Sequence, residues 1–210
     1  MILLTGFEPF GGEDFNPSFA VARQAAHILG AQGLQVHAAE LPCAFATAPA
    51  VLDHLLESHR PSVVISLGLA AGRTTMGLEK VAINHIDARI ADNAGDQPID
   101  RPVVAGAPAA YFATLPLKAA LQALREPGPG RDAIEVNISY SAGSFVCNQV
   151  FYALMHRTIG VPGIHAGFIH VPWMEATHPG LQEMATAVAA VARLALDNAA
   201  EPLLSAGTEY

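Results

Sequence analysis

Short apolar runs alternate along the chain with longer segments of helical periodicity. The apolar runs predict strands at residues 2–4, 34–41, 63–68, 134–138 and 164–171. Between them, helical patterns predict helices at residues 20–29, 48–55, 117–124, 150–156 and 181–195. Asn16 and Pro17 are typical of a helix start, and Gly30 is typical of the end of that first helix. The segment Pro127–Gly130 is typical of the end of the third helix.

The strand–helix alternation predicts the fold class. It indicates an α/β fold in a single domain over residues 1–210, a three-layer α/β/α sandwich with helices on both faces of a mostly parallel, twisted central sheet. No internal repeat or low-complexity segment interrupts the pattern. In such sheets the active site lies at the carboxyl ends of the strands, so residues that follow strands are the candidates for chemistry.

Residues 69–108 depart from this alternation. They are rich in Gly, Asp, Asn and Pro, and their one short apolar patch lies at residues 81–83. A loop of this length inside a compact domain usually has a function. We therefore expect the segment to contribute to the site.

Composition narrows the class of protein. Hydrophobic residues make up 51% of the chain and charged residues 14%, which excludes intrinsic disorder. The formal net charge of −8 argues against nucleic acid and against an anionic membrane as partners. Two cysteines cannot form a disulfide scaffold, and the N-terminus lacks the basic region of a signal peptide. We therefore expect a cytoplasmic protein.

Cys147 is the candidate nucleophile. It follows the small residues of the segment 141–145, where a strand ends and a helix begins. The free N–H groups and partial positive charge of a helix N-terminus favour a thiolate over a thiol and can hold a developing oxyanion. The alternative is that Cys147 is one more buried apolar thiol. Cys43, at the end of an earlier strand, is expected to serve packing.

A thiol nucleophile needs an imidazole to accept its proton and to protonate the leaving group. Among nine histidines, His170 is favoured because it ends a strand that Pro172 stops. If the two strands are parallel, His170 lies at the same edge of the sheet as Cys147. His165 is the competing candidate, but its place within the apolar run suggests that it faces a helix.

The imidazole in turn needs an acceptor that orients it. The acidic candidates all lie in the long polar segment, and spacing alone does not choose among them: Glu79, Asp87, Asp92 and Asp96.

Metal and phosphate chemistry have weaker support. The sequence contains neither a His-Glu-x-x-His nor a Cys-x-x-Cys motif, so no metal is expected, although a zinc site built from distant residues stays open. The glycine-rich segment 5–12 follows a strand but has no lysine, and Glu8 would repel phosphate. Phe7 and Phe10 in this segment suit the wall of an apolar pocket or, equally, a tight turn with both rings in the core.

Taken together, these segments resemble the pyroglutamyl peptidase I (pyrrolidone-carboxylate peptidase) family of cysteine peptidases. The resemblance covers essentially the whole chain, and its motifs occur in the expected order. It rests on TGFEPFGG at 5–12, NPS at 16–18, GRT at 72–74, EKVAIN at 79–84, DARI at 87–90, DN at 92–93, QPI at 97–99, SAGSFVCN at 141–148 and GFIHVP at 167–172.

The resemblance implies a hydrolase that removes N-terminal pyroglutamate (5-oxoproline) from peptides without a cofactor. Cys147 matches the nucleophile, His170 the general base and acid, and Glu79 the carboxylate that orients the histidine. Arg89 matches an arginine that lies near the reacting carbonyl. The positions that match the lining of the lactam pocket are Phe7, Phe10, Ile90, Phe145 and Val146. The implied fold is again an α/β/α sandwich, and members commonly form homotetramers. Pyroglutamylated peptides and further copies of the chain are thus the expected partners.

The chain departs from the family pattern at several positions. Leu69 stands where the family usually has glutamine, Leu78 and Ala91 replace prolines, and Ser144 replaces threonine. Because Leu69 and Ala91 are expected to border the pocket, they bear on affinity for pyroglutamate. Two alternatives therefore stay open: a homologue that binds pyroglutamyl groups without turnover, and a nucleoside hydrolase or phosphorylase on a similar sheet.

Overall fold

The computed structural model describes residues 1–128 and 133–207. Within them the chain forms eight strands: β1 Ile2–Phe7, β2 Val36–Leu41, β3 Val63–Leu69, β4 Met76–Glu79, β5 Val81–Ile83, β6 Ala110–Phe112, β7 Val136–Ser139 and β8 His165–Val171. The same residues contain five helices: α1 Pro17–Ala31, α2 Ala48–His59, α3 Leu117–Arg125, α4 Val146–Thr158 and α5 Gly180–Leu196.

Six of the described strands form the central sheet in the order β2-β1-β3-β8-β4-β7. The first four are parallel to one another, whereas β4 is antiparallel to β8 and parallel to β7. Helix α5 contacts α1 and α3, and α2 contacts α4, which gives two helical layers around the sheet. The predicted α/β fold with a mostly parallel sheet is confirmed.

Both faces of the sheet are covered, and the sequence of its central strands reflects this. Every residue of β1 is buried, as are nearly all residues of β3 and β8. Strands covered on both faces read as continuous apolar runs, which is why the sequence pattern predicts them well. Their carboxyl ends lie side by side, with Gly68 of β3 in register with His170 of β8.

Two features of the fold differ from the expectation. Residues 69–108 are not all loop, because β4 is a fully buried strand inside the sheet and β5 pairs with β6. In addition, β7 is antiparallel to β8, so Cys147 and His170 do not follow parallel strands. The connection through residues 140–145 brings Cys147 to His170 instead. The predicted stop after α3 falls partly on Pro129 and Gly130, which lie outside the described residues; α3 itself ends at Arg125.

Candidate active site

Cys147 lies in the first turn of α4. Phe145, the residue before the helix begins at Val146, is extended and gives it no side-chain cap, so N–H groups of the first turn have no partner within the helix. The thiol packs against Gly68 of β3. A Cβ atom added to this glycine would lie only 2.8 Å from Sγ of Cys147. Since Gly68 is in register with His170, the thiol and the imidazole meet at the same end of the sheet.

Burial opposes the effect of the helix terminus on the thiol. Desolvation raises the pKa of Cys147 above its ordinary value, and Cys43 and the negative charge of Glu79 raise it further. A hydrogen bond from the backbone N–H of Cys147 and the guanidinium of Arg73 lower the same pKa by less. Burial and the neighbouring groups therefore act against the preference for thiolate that the helix terminus favours.

We expect the raised pKa to govern the reaction of Cys147 with iodoacetamide. Because the thiolate is the reactive form, the alkylation rate should still be rising at about pH 10, where a free cysteine with a pKa of about 8.5 has levelled off. Peptide mass spectrometry follows each cysteine separately. Burial, Glu8 and Asp92 raise the pKa of Cys43 to about 12, so that residue provides a slowly reacting internal reference. A plateau reached near neutral pH would contradict a raised pKa of Cys147.

His170 is held by a buried carboxylate. Its Nδ1 atom lies 2.7 Å from Oε1 of Glu79, and both side chains are almost completely buried. Glu79 ends β4, which is the neighbour of β8 in the sheet, so strand pairing sets the distance between the two residues. The contact through Nδ1 leaves Nε2 of His170 as the ring nitrogen for the thiol and the substrate.

The other acidic candidates have different surroundings. Asp92 accepts hydrogen bonds from the backbone N–H groups of Ala94 and Asp96 in its own loop and of Phe45 in the segment before α2, so it joins these two segments. Asp87 and Asp96 are exposed. Among the described residues Glu79 is thus the carboxylate that meets His170, a choice that sequence spacing left open.

Arg73 is a member of the cluster to which sequence analysis assigned no role. Its Nη1 donates to Oε1 of Glu79 at 2.6 Å, and its Nη2 donates to the carbonyl of Ser141 at 2.8 Å. In the sequence it appears only within the motif Gly72-Arg73-Thr74. The one available signal was a cation six residues before the buried glutamate, which alone does not identify a contact.

A cavity of about 390 Å³ opens beside the thiol and the imidazole. Three of the predicted pocket residues, Phe7, Phe10 and Phe145, line it. The Phe145 ring lies 5.3 Å from the ring of Phe10, so these two lining rings pack together, and 5.0 Å from that of Phe45, which supports it from outside the cavity. Further lining residues, which sequence analysis did not assign to the pocket, are Asn16, Cys43, Ala70, Ala71, Arg73, Ala142 and Gly143.

The remaining predicted positions lie elsewhere. Arg89 and Ile90 are exposed and do not line this cavity, and Val146 is completely buried in the first turn of α4. Of the two departures expected to border the pocket, Leu69 lines the cavity, whereas Ala91 is exposed and does not. The roles assigned to these residues by resemblance stay predictions.

His165 lies at the other end of β8. Its ring contacts the carbonyl of Thr114 and Oδ1 of Asn198, each at 2.9 Å. As the first residue of β8, it is separated from His170 by the length of the strand.

Two properties of the described residues bear on other functions. Within residues 1–128 and 133–207, no group of three or more His, Cys, Asp or Glu side chains is arranged to hold a metal ion. Nor does any helix in this part of the chain have the length and apolar character needed to cross a membrane.

Comparison with known proteins decides the family. The sequence model of the pyroglutamyl peptidase family matches residues 1–200. The chain belongs to this family. Among similar pyroglutamyl peptidases, the pyrrolidone-carboxylate peptidase of Klebsiella pneumoniae is 49% identical over 89% of this chain and 86% of its own length. That of Chromobacterium violaceum is 52% identical over 85% of this chain and 82% of its own length.

Solved structures agree with the sequence comparison. Pyroglutamyl peptidase I of Bacillus amyloliquefaciens superposes with a TM-score of 0.81 at 37% identity, covering 93% of this chain and 96% of its own. A mutant pyrrolidone carboxyl peptidase of Pyrococcus furiosus gives 0.80 at 36% identity, covering 95% and 99%. The predicted membership of the pyroglutamyl peptidase I family, and with it the prediction of a cysteine-type hydrolase, is confirmed.

Proposed function

We propose that this protein hydrolyses the bond after an N-terminal pyroglutamyl residue of peptides through a triad of Cys147, His170 and Glu79. One observation carries the proposal. Cys147 and His170 line the same aromatic cavity, and His170 Nδ1 lies 2.7 Å from the buried Glu79 carboxylate. This is the arrangement of nucleophile, base and orienting acceptor that acyl transfer requires.

The first half of the reaction forms a thioester. Sγ of Cys147 attacks the carbonyl carbon that joins pyroglutamate to the next residue, and the thiol proton passes to Nε2 of His170. Burial opposes the thiolate form of Cys147, so in this scheme His170 takes the thiol proton as Sγ attacks. Glu79 stabilises the imidazolium through Nδ1. His170 then gives its proton to the departing amine as the C–N bond breaks.

The second half releases the product. A water molecule attacks the thioester carbonyl and gives a proton to Nε2 of His170, the C–S bond breaks, and the thiol recovers that proton as pyroglutamate leaves. The oxyanion formed in each half is assigned to free N–H groups in the first turn of α4, whose dipole also favours negative charge. Arg89, exposed in this structure, is not needed in this scheme, and its place near the carbonyl stays a prediction.

The cavity suits a small, flat ring. The rings of Phe7, Phe10 and Phe145 provide an apolar wall for the lactam, while its amide requires hydrogen bonds from the backbone. The Asn16 side chain is largely engaged, since its Nδ2 donates to the carbonyl of Glu8 and its Oδ1 accepts from the N–H and hydroxyl groups of Ser18. One Nδ2 hydrogen is left, so recognition of the lactam is assigned to the main chain, with Asn16 able to add a single donor.

We expect the enzyme to discriminate strongly between pyroglutamyl and prolyl substrates. A prolyl residue has the same ring size but lacks the lactam carbonyl, and as an N-terminal residue it carries a positive charge. Its binding would leave buried lactam-binding groups unpaired, so kcat/KM should be lower by about 100-fold or more. Release of a fluorescent amine from the two amides measures the ratio. Equal rates on the two amides would show that the assigned pocket does not recognise the lactam.

Leu69 makes one alternative specific enough to test. It lines the cavity where the family usually has glutamine, which is the observation that favours a pyroglutamyl-binding homologue without turnover. Such a protein would bind a pyroglutamyl amide saturably and release no amine. The relatives described above are all named as peptidases, which favours the peptidase over both this alternative and a nucleoside-processing enzyme.

Cellular location and assembly belong to the same proposal. Cys43 and Cys147 are both free thiols, as suits a reducing cytoplasm. We propose a homotetramer from the family resemblance, and sedimentation at micromolar concentration would give the assembly directly.

A further inference from the structure

Arg73 connects three parts of the fold that meet at the proposed site. Its guanidinium donates to Glu79 at the end of β4 and to the carbonyl of Ser141 in the connection to α4. Its backbone N–H donates to the carbonyl of Ala70, whose own N–H donates to the carbonyl of Val171 directly after His170. The chain of hydrogen bonds thus runs from β8, through Arg73, to Glu79 and back to His170.

We propose that Arg73 is a positioning residue for the reaction described above, on whose assignment this inference rests. One nitrogen of its guanidinium holds the carboxylate that orients His170, and another holds the segment that delivers Cys147. Arg73 therefore fixes the imidazole and the thiol relative to each other.

The Glu79 carboxylate depends on this contact for its orientation. Arg73 and His170 both bond to Oε1, while Oε2 is buried and has no hydrogen-bond partner among the described residues. A carboxylate held at one oxygen rotates more freely when one of its two partners is lost. The imidazole, whose Nδ1 is bonded to this carboxylate, would lose its defined orientation as the carboxylate rotates. Arginine suits this role because its planar fork places separate N–H donors on two acceptors at once.

The backbone of β4 is adapted to the path of this arginine. A Cβ at Gly77 would lie 2.6 Å from Nη1 of Arg73 and 3.3 Å from Oε1 of Glu79. Glycine at position 77 therefore leaves the space through which the guanidinium reaches the carboxylate. Substitution by alanine would displace the flexible end of Arg73 without removing its charge.

Arg73 also acts on the charge of the thiol. The groups that face Cys147 are Cys43 from the loop after β2, Glu79 from β4, Arg73 from the β3–β4 loop and His170 from β8. Arg73 lowers the pKa of the Cys147 thiol, whereas Cys43 and Glu79 raise it. Loss of the cation removes a stabilising charge from the thiolate, so less thiolate is present at any given pH.

The test compares Arg73→Met and Arg73→Lys with a matched control. Arg157→Met is the control, because Arg157 also pairs with carboxylates, Asp53 and Glu57, but lies at the far end of α4. For Arg73→Met we expect kcat on a pyroglutamyl amide to fall by about 10- to 100-fold, up to the loss that a misplacement of reacting groups by about 1 Å causes. KM should change by much less, and Arg157→Met should behave as wild type.

Iodoacetamide supplies a readout that needs no turnover. At a fixed pH near 8.5, alkylation of Cys147 should be several-fold slower in Arg73→Met than in wild type. Arg73→Lys keeps the charge and should restore most of the alkylation rate. It should not restore kcat, since an ammonium group lacks the rigid fork that spans both acceptors. Gly77→Ala should lower kcat in the same way while Arg73 itself is retained.

The outcomes separate this inference from the proposed function. If wild type releases amine but Arg73→Met keeps kcat within about twofold, or if alkylation of Cys147 is unchanged, the positioning role is overturned and the peptidase assignment stands. If wild type releases no amine, the proposed function fails, and the alkylation rates still decide whether Arg73 acts on Cys147. Thermal unfolding of each variant sets the assay temperature, so that only folded protein is compared.

Discussion

Replacement of Cys147 by alanine is expected to abolish amine release from a pyroglutamyl amide. The variant lacks the thiol that lies in the first turn of α4 and lines the cavity together with His170. The second thiol of the lining, Cys43, lies in the loop after β2, and its raised pKa of about 12 makes it a poor substitute. Removing the nucleophile of an acyl-transfer triad costs about 10⁴-fold or more in kcat. Assay of the purified variant beside wild type, with the limit of detection stated, measures the loss.

Cys43→Ala is the matched control for this substitution. Cys43 lines the same cavity, but its defined polar contact is made by its backbone N–H to Oε1 of Glu8, which alanine keeps. We expect its kcat/KM to stay within about tenfold of wild type, as for the loss of a small apolar wall group. Full activity in Cys147→Ala, or loss only in Cys43→Ala, would show that the nucleophile has been misassigned.

The fold was predictable where residue pattern and burial coincide. The central strands are apolar over most of their length because helices cover both faces of the sheet, so β1, β3 and β8 stand out in the sequence. β4 did not stand out. It is four residues long, contains Gly77 and ends in a charged residue, Glu79, so its sequence resembles the polar loop around it. Its place in the sheet comes from pairing with β8 and β7, which a local pattern does not contain.

The residues of the proposed site were likewise predictable only in part. The residue types and their helix and strand ends pointed to Cys147 and His170, although the argument for their proximity assumed parallel strands that the fold does not have. Glu79 was chosen by family resemblance alone, and its 2.7 Å contact with His170 depends on the strand β4 that the pattern missed. Arg73 was not predictable, because its two contacts join residues six and 68 positions away.

His170→Ala is expected to lower kcat on a pyroglutamyl amide by about 10³-fold or more, while His165→Ala retains it. His170 transfers the proton both from the thiol and to the leaving amine, so its loss affects two steps. His165 contacts Thr114 and Asn198 at the opposite end of β8, and its loss should lower only stability, by about 1 kcal/mol for each hydrogen bond removed. Steady-state rates and thermal unfolding of the two variants separate these effects.

The leaving group then tests which proton transfer His170 performs. An activated pyroglutamyl ester expels a phenolate that needs no proton, whereas the amide must expel an amine. If His170 is the general acid, His170→Ala should lose at least about tenfold more activity on the amide than on the ester. Equal losses on both substrates would restrict His170 to activation of Cys147. A variant that keeps amide turnover would remove His170 from the mechanism and leave its 2.7 Å contact with Glu79 as a structural one.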